Sequence, residues 1–414
     1  MDKYASLERL RTSIINFLIT ILIFIVIVDP NNNIFYIKDI VFALIILFWA
    51  YTLFFYSFNI PRKIIIIFIF LIIIMPLYSV IIAYINGNVI TIQAPYIKSF
   101  FFLLLLPVLI NLNINITQRF HYIGFMISII VLISLILFYT ANDLFEIIYH
   151  YLVEDKQVAV SRGYEYQGYK MFNLFYKTSP LLLFPLGYYF QKLFFNTEIK
   201  KKKVKYIFSI LLISVAFIFS STRANIIIFF VLLIIYSMYY IFINNRKIFW
   251  FSIIFCFVCI IYLLTNILHQ FSQSETSNSI KINHILDYIN LFKSDTNILF
   301  WGQGFNSSFY STYYNSYINV TELSYFEFIR IFGLPVTCIF ITLLLYPVYI
   351  FYKNYKQYYT FRYIPISYLF YLIIAGTNPL LLSSTGMIVI VYVYSIMYLN
   401  SKDYIKSEPN FKLK

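Results

Sequence analysis

Three charged residues stand where a polar stretch of the chain runs into an apolar one. They are Glu322, Glu327 and Arg330, within NILFWGQGFNSSFYSTYYNSYINVTELSYFEFIRIFGLPVTCIFI, residues 297–341. A charge facing lipid at such a boundary costs a few kcal/mol, so these side chains are expected to face protein or a water-filled cavity. Glu322 is a carboxylate at the mouth of an apolar segment, where partial burial would raise its pKa and suit it to proton transfer. Glu327 has a local alternative. Ser324 and Glu327 match the S-x-x-E capping box, and Glu327 also lies three residues from Arg330, near enough on a helix for a plain ion pair. Glu322 lies outside that box and has no such local role.

Arg223 carries the second signal. It follows Ser220, Ser221 and Thr222 at the tip of a tight hairpin between two apolar runs. A guanidinium offers five donors in a fixed fork, suited to clamping a phosphate or carboxylate. The hydroxyl run could cap the next helix, whose N-terminal dipole would add to the attraction for an anion. The bland alternative is an arginine snorkelling to lipid headgroups. Arg162 in SRGYEYQGYK, and Lys281 with His284 in KINHILDY, are further polar groups. Each alone is more often a solvated loop residue than a ligand. Their interest lies in sharing a side of the membrane with Arg223 and Arg330. There is no D-x-D pair of carboxylates, no Gly-rich P-loop, no HExxH and no GxSxG. A metal-bound nucleotide sugar, and any resident metal or cofactor, is therefore not expected.

The elements that position these residues must be membrane helices. The chain is 61% hydrophobic and 12% charged, with a mean hydropathy of +0.79, whereas ordinary soluble domains carry about 25% charged residues. The composition predicts an all-α, polytopic integral membrane protein, residues 1–414 forming one membrane domain. The formal charge of +14 then reflects cytoplasmic loops and not nucleic-acid binding, because basic and aromatic residues are not interleaved on any soluble face. Cys256, Cys259 and Cys338 all fall in apolar runs and read as small buried hydrophobes. No cleavable signal peptide is read, because no small-residue cleavage site follows the first apolar run.

With about 20 apolar residues needed per crossing, spans are expected near 13–28, 40–58, 64–85, 96–112, 120–141, 174–195, 206–221, 222–243, 248–268, 324–352, 363–377 and 385–399, about 12 in all. Placing both termini in the cytoplasm puts most of the 31 Lys and Arg there, including Arg62, Lys63, Arg119, the Lys200–Lys203 run, Arg246, Lys247 and Arg362. That is the arrangement the positive-inside rule favours. Two larger loops, 142–173 and 269–323, then project to the outer face. In the second, Ile282, Ile285, Leu286 and Ile289 recur at helical spacing and predict a short helix lying on the membrane surface. Gly333 and Pro335 should kink the span that follows. A reporter active only outside the cytoplasm is expected to light up when fused near Ser161 or Ser311 and to stay dark near Lys202 or Lys356. A dark fusion in the 269–323 loop would overturn this orientation.

With these residues in view, the chain resembles the O-antigen polymerase family, grouped with the O-antigen ligases among polytopic transferases of lipid-linked glycans. The resemblance rests on FIFSSTRANIIIFF (218–230), ILFWGQGF (298–305), TELSYFEFIRIFGLP (321–335) and AGTNPLLLSSTGM (375–387). It implies a bacterial inner-membrane enzyme whose substrate is an undecaprenyl diphosphate-linked oligosaccharide repeat unit, polymerised on the periplasmic face into a surface polysaccharide such as that of lipopolysaccharide. It also implies membrane lipid, a chain-length regulator and a flippase as partners. On this reading Glu322 and Arg223 are catalytic, while Arg162, Arg330, Lys281 and His284 bind substrate. Ligases of the group carry a histidine–asparagine pair just before the corresponding helix, where this chain has Glu322-Leu323; the difference favours a polymerase. The competing readings are a ligase and a lipid-linked oligosaccharide flippase. A flippase would need charged or broken helices around a midplane cavity, whereas the charges here collect on one face.

Overall fold

The computed structural model describes residues 2–53, 61–88, 94–160, 164–166, 169–172, 174–195, 200–220, 223–244 and 276–407. Helix α1 (Asp2–Val28) is followed by α2 (Lys38–Leu53) and by α3, which runs Arg62–Ile85. Within α3 the ladder slips into a π turn over Phe70–Ile74. The cause is Pro76, which has no N–H for the Ile72 carbonyl; the Met75 N–H reaches back five residues to Phe70 instead. Helices α4 (Ala94–Phe101) and α5 (Leu105–Asn111) are one apolar run divided by a 3₁₀ turn at Phe102–Leu104, just where Pro107 removes the partner of the Leu103 carbonyl. Then come α6 (Thr117–Thr140), α7 (Asn142–Tyr149), α8 (Leu183–Phe195), α9 (Lys200–Phe219) and α10 (Arg223–Asn244). The C-terminal part comprises α11 (Thr276–Ser294), α12 (Thr296–Trp301), α13 (Ser324–Lys353), α14 (Tyr363–Gly376) and α15 (Ser384–Ser407).

Among the described residues, four helices are long and apolar enough to cross a membrane: Arg62–Ile85, Thr117–Thr140, Asn225–Phe242 and Ser324–Lys353. Their outward faces carry Ile66, Ile73, Ile81, Ile133, Ile136 and Ile227, all exposed. A surface so continuously apolar is suited to hydrocarbon and not to water. The expected span 174–195 is shorter than its apolar run. Residues Phe175–Tyr176 are a strand and Ser179–Leu182 a 3₁₀ turn, so α8 begins only at Leu183. Thirteen residues of helix cover about 20 Å, less than the roughly 30 Å of a hydrocarbon core. The expected span 248–268, with Cys256 and Cys259, lies outside the described residues. Cys338 does not fit the expectation of burial: it is exposed on α13.

The 142–173 segment is more structured than a loop. It holds α7, a π turn at His150–Asp155, the hairpin β2 (Tyr164–Tyr166) with β3 (Tyr169–Met171), and β1 (Ala159–Val160), which pairs with β4 (Phe175–Tyr176). A chain of contacts ties this segment to other connections. Asn31 and Asn33 donate to the Gln157 and Lys156 carbonyls at 2.9 and 3.0 Å. Lys38 donates to Ser384 Oγ at 3.3 Å, and Lys98 pairs with Asp39.

The end of the molecule that matters most is a small cap built from residues 276–323. Its core is Tyr288, Phe309 and Leu323, with Phe292 and Phe326 packed around it. Helix α11 supplies one wall and the hairpin β5 (Phe309–Ser311) with β6 (Ser316–Ile318) the other. The face of α11 turned into the cap is His284, Asp287 and Tyr288, all buried. Ile282, Leu286 and Ile289 are exposed on the opposite side. Three residues of the apolar stripe read from the sequence thus form an outer surface, the fourth, Ile285, packs against the cap core, and the polar and aromatic stripe makes most of the fold.

The cap is fastened to α13 where that helix breaks. Gly333 has φ +75° and ψ +162°, a conformation open to glycine and strained for other residues. The break leaves the Arg330 carbonyl without its usual partner at Leu334, and Pro335 has no N–H to offer the Ile331 carbonyl. Both carbonyls are taken by the cap, from Gln303 N at 2.6 Å and Gly304 N at 3.0 Å. A side chain at Gly304 (φ +77°) would run into the Ala83 backbone of α3, so the W-G-Q-G stretch is wedged between two membrane-length helices.

Candidate functional site

Directly beneath the hairpin, Glu327 and Arg330 form an ion pair whose side chains are each 1% exposed. Arg330 Nε and Nη2 donate to Glu327 Oε2 at 2.8 and 2.7 Å. Nη2 also donates to the Asn319 carbonyl at 2.7 Å. Nη1 donates to the Ser307 carbonyl at 2.8 Å, to Ser307 Oγ and to Gln303 Oε1 at 3.3 Å, and the guanidinium lies over the Phe309 ring at 5.4 Å. All three nitrogens are engaged with protein. Substrate binding by Arg330, expected from the sequence, is therefore replaced by a structural role: it pins the cap to α13. The capping box is corrected too. Glu327 Oε1 accepts from Thr321 N at 2.7 Å, and Ser324 Oγ donates to the Asn378 carbonyl at 2.6 Å.

The structure brings together three of the other residues singled out in the sequence. Lys281 on α11 lies 3.4 Å from Glu322 Oε2, on the approach to α13. One turn along α11, His284 is 4% exposed, its ring 5.8 Å from that of Tyr314. His284 Nε2 is buried without a hydrogen-bond partner among the described residues. Burial pushes this imidazole below its ordinary pKa, and the negative charges of Asp287, Glu322 and Glu327 oppose the shift without reversing it. A neutral ring able to accept a proton results at neutral pH.

The carboxylates of the cap divide by role. Asp287 is buried, its two oxygens accepting from Thr312 N at 3.1 Å and Thr312 Oγ1 at 2.8 Å. Glu327 is committed to Thr321 and Arg330. Glu322, with its side chain 39% exposed, is the one of these three that a substrate can reach. Tyr288 holds the arrangement from below: its hydroxyl lies 2.8 Å from Thr321 Oγ1, and its ring is 4.8 Å from Phe309 and 5.4 Å from Phe326.

Arg223 begins α10, three residues after the buried Ser220 that follows α9; its side chain, like the whole of Arg162, lies outside the described part of the structure. The surroundings of that turn hold a residue that sequence reading missed. Asn225 is fully buried, and among the described residues neither its amide atoms nor Ser220 Oγ has a hydrogen-bond partner. The signal available in the sequence was the polar residue in STRAN, two places inside an apolar helix. Gln303, Ser307 and Asp287 were also missed, because each acts through a partner remote in sequence.

A polar cleft of about 450 Å³ lies elsewhere on the cap, between the end of α3 and α12; Lys281, His284 and Glu322 do not line it. Comparison of the chain with protein-family models, with characterised proteins and with solved structures finds no match.

Proposed function

We propose that this chain is an inner-membrane glycosyltransferase that polymerises undecaprenyl diphosphate-linked oligosaccharide repeat units on the periplasmic face, with about 12 crossings and both termini in the cytoplasm. The observation that carries the reading is the juxtaposition of Lys281, His284 and Glu322 in a folded cap seated on a broken, membrane-length helix. A reachable carboxylate, a cation beside it and a neutral imidazole are the groups a displacement at an anomeric carbon requires. Glu322 takes the proton from the acceptor sugar hydroxyl as its oxygen attacks. The bond from the anomeric carbon to the diphosphate oxygen breaks, and undecaprenyl diphosphate departs with the electron pair. Direct displacement inverts the anomeric configuration. Lys281 orients the carboxylate, and Arg223 at the head of α10 receives the diphosphate charge. The leaving group needs no nucleotide. The oxygens of Asp287 and Glu327 are already spent on protein donors, which supports a metal-independent reaction.

The decisive experiment is a surface-glycan ladder from a deletion strain. A polymerase leaves single repeat units displayed, a ligase leaves none, and a flippase leaves lipid-linked units trapped inside. In the purified system, Arg223→Lys is expected to lower turnover by roughly ten- to a hundredfold, the worth of one lost charge-assisted hydrogen bond, so that lysine recovers little of the arginine's role. Unchanged turnover would make Arg223 a membrane anchor.

A further inference from the structure

The cleft of about 450 Å³ at the junction of α3 with the cap falls within the roughly 300–1,000 Å³ usual for small-ligand sites. Its wall is chemically selective. Asn86 and Asn88 come from the end of α3, Asp295 and Asn297 from the start of α12, and Trp301 and Gln303 from the stretch that locks into α13; among the described residues lining it there is no lysine or arginine. The floor is rigid. Asn86 Nδ2 and Asn88 Nδ2 both donate to the Gln303 carbonyl, at 3.2 and 3.0 Å. Tyr78 Oη donates to the Trp301 carbonyl at 2.7 Å. Gln303 itself is held by Arg330 through its side-chain oxygen and by the Arg330 carbonyl through its backbone N–H.

Among the described residues these bonds leave each amide a defined remainder. Asn86 and Asn88 keep their side-chain oxygens as acceptors and one N–H each as donor, Gln303 keeps its side-chain NH₂ as donor, and the Asn297 side chain offers both. Sugar hydroxyls are at once donors and acceptors, so a row of amides matches them. The Trp301 side chain, 60% exposed at the rim, offers a flat apolar face for the C–H surface of a pyranose. A diphosphate finds no cation here and meets Asp295. An acyl chain finds its apolar contacts, Ile82, Ile85, Ile298 and Trp301, interrupted by seven polar side chains.

We propose that this cleft is a subsite for an uncharged sugar of the glycan, separate from the Lys281–Glu322 site, and that it discriminates against acidic sugars. The proposal rests on reading the chain as a glycan polymerase. The subsite holds the repeat unit while the reacting hydroxyl is presented elsewhere, so it governs affinity and not the chemical step. Because the floor is fixed by α3 and α13 before any ligand arrives, little ordering is lost on binding.

The test uses the full-length protein in detergent and free oligosaccharides of three to five residues, one set built of N-acetylglucosamine and galactose and one containing glucuronate. Binding is read by saturation-transfer NMR and by tryptophan fluorescence. The neutral set is expected to bind and the glucuronate set to bind at least tenfold more weakly. Trp301→Leu and Asn297→Ala, both at exposed side chains that hold no hydrogen bond among the described residues, should each weaken neutral binding at least tenfold. In the polymerisation assay they should raise KM by a similar factor with kcat held. Equal binding of the two sets, or wild-type affinity and KM in both variants, would overturn the subsite and leave Trp301 a membrane-interface anchor. Trp301-dependent binding of neutral sugars by a protein that polymerises nothing would uphold the subsite and remove the polymerase reading alone.

Discussion

Replacing Glu322 with glutamine is expected to lower turnover by roughly a hundred- to ten-thousand-fold, the range general acid–base catalysis supplies, while leaving the fold and the binding of lipid-linked substrate intact. The separation is possible because of where Glu322 sits. Its side chain is 39% exposed and pairs with Lys281 at 3.4 Å, and partly exposed ion pairs contribute only about 0–1 kcal/mol to stability. Glutamine keeps the shape and loses the base. The measurement is single-turnover product formation from purified lipid-linked repeat units, with and without a chelator, beside a thermal unfolding curve. The product linkage is read by NMR. Product at the wild-type rate would take Glu322 out of the mechanism and leave His284 as the base. In that case the rate should fall with acid only below the ordinary imidazole value of about 6.5, because burial lowers the His284 pKa and keeps the ring neutral further into acid. Loss of product on chelation would overturn the metal-independent step, and retained anomeric configuration would require a covalent intermediate.

How much of this was legible in the sequence depended on the range of the interactions. The helices α1, α3, α6, α10, α13 and α15 follow from apolar runs, since in a membrane a long apolar segment satisfies its backbone as helix. The break at Gly333 was legible because glycine and proline two residues apart act locally. The cap was not. The spacing of Ile282, Ile285, Leu286 and Ile289 suggested which face of α11 is apolar, but only Ile285 packs against the cap core, where burial is decided by Tyr288, Phe309 and Phe326, whose stacking joins segments remote in sequence. Glu327 and Arg330 were legible as neighbours on a helix. Their burial was not, because it depends on Ser307, Gln303 and Asn319 arriving from the loop. Lys281, His284 and Glu322 were each visible as isolated polar residues; only the folding of α11 against the approach to α13 makes them a group.

Arg330→Ala should therefore act on the fold of the cap before it acts on any chemistry. The substitution leaves the Glu327 carboxyl 1% exposed with no counter-charge, and breaking a buried pair in this way costs about 3–5 kcal/mol. The Ser307 and Asn319 carbonyls lose their guanidinium donors at the same time. The expected result is detachment of residues 302–321 from α13, seen as new protease cleavage within that stretch and a lower unfolding temperature in detergent, with polymerisation lost as a consequence. Arg330→Lys should rescue little, since one ammonium cannot reach Glu327, Ser307 and Asn319 together. Arg330→Met combined with Glu327→Gln should recover much of the stability. The amide oxygen can still accept from Thr321 N, and no unpaired charge remains in the core. The wild-type protease pattern and unfolding temperature in Arg330→Ala, with only KM raised, would return Arg330 to the substrate and refute its role as the pin.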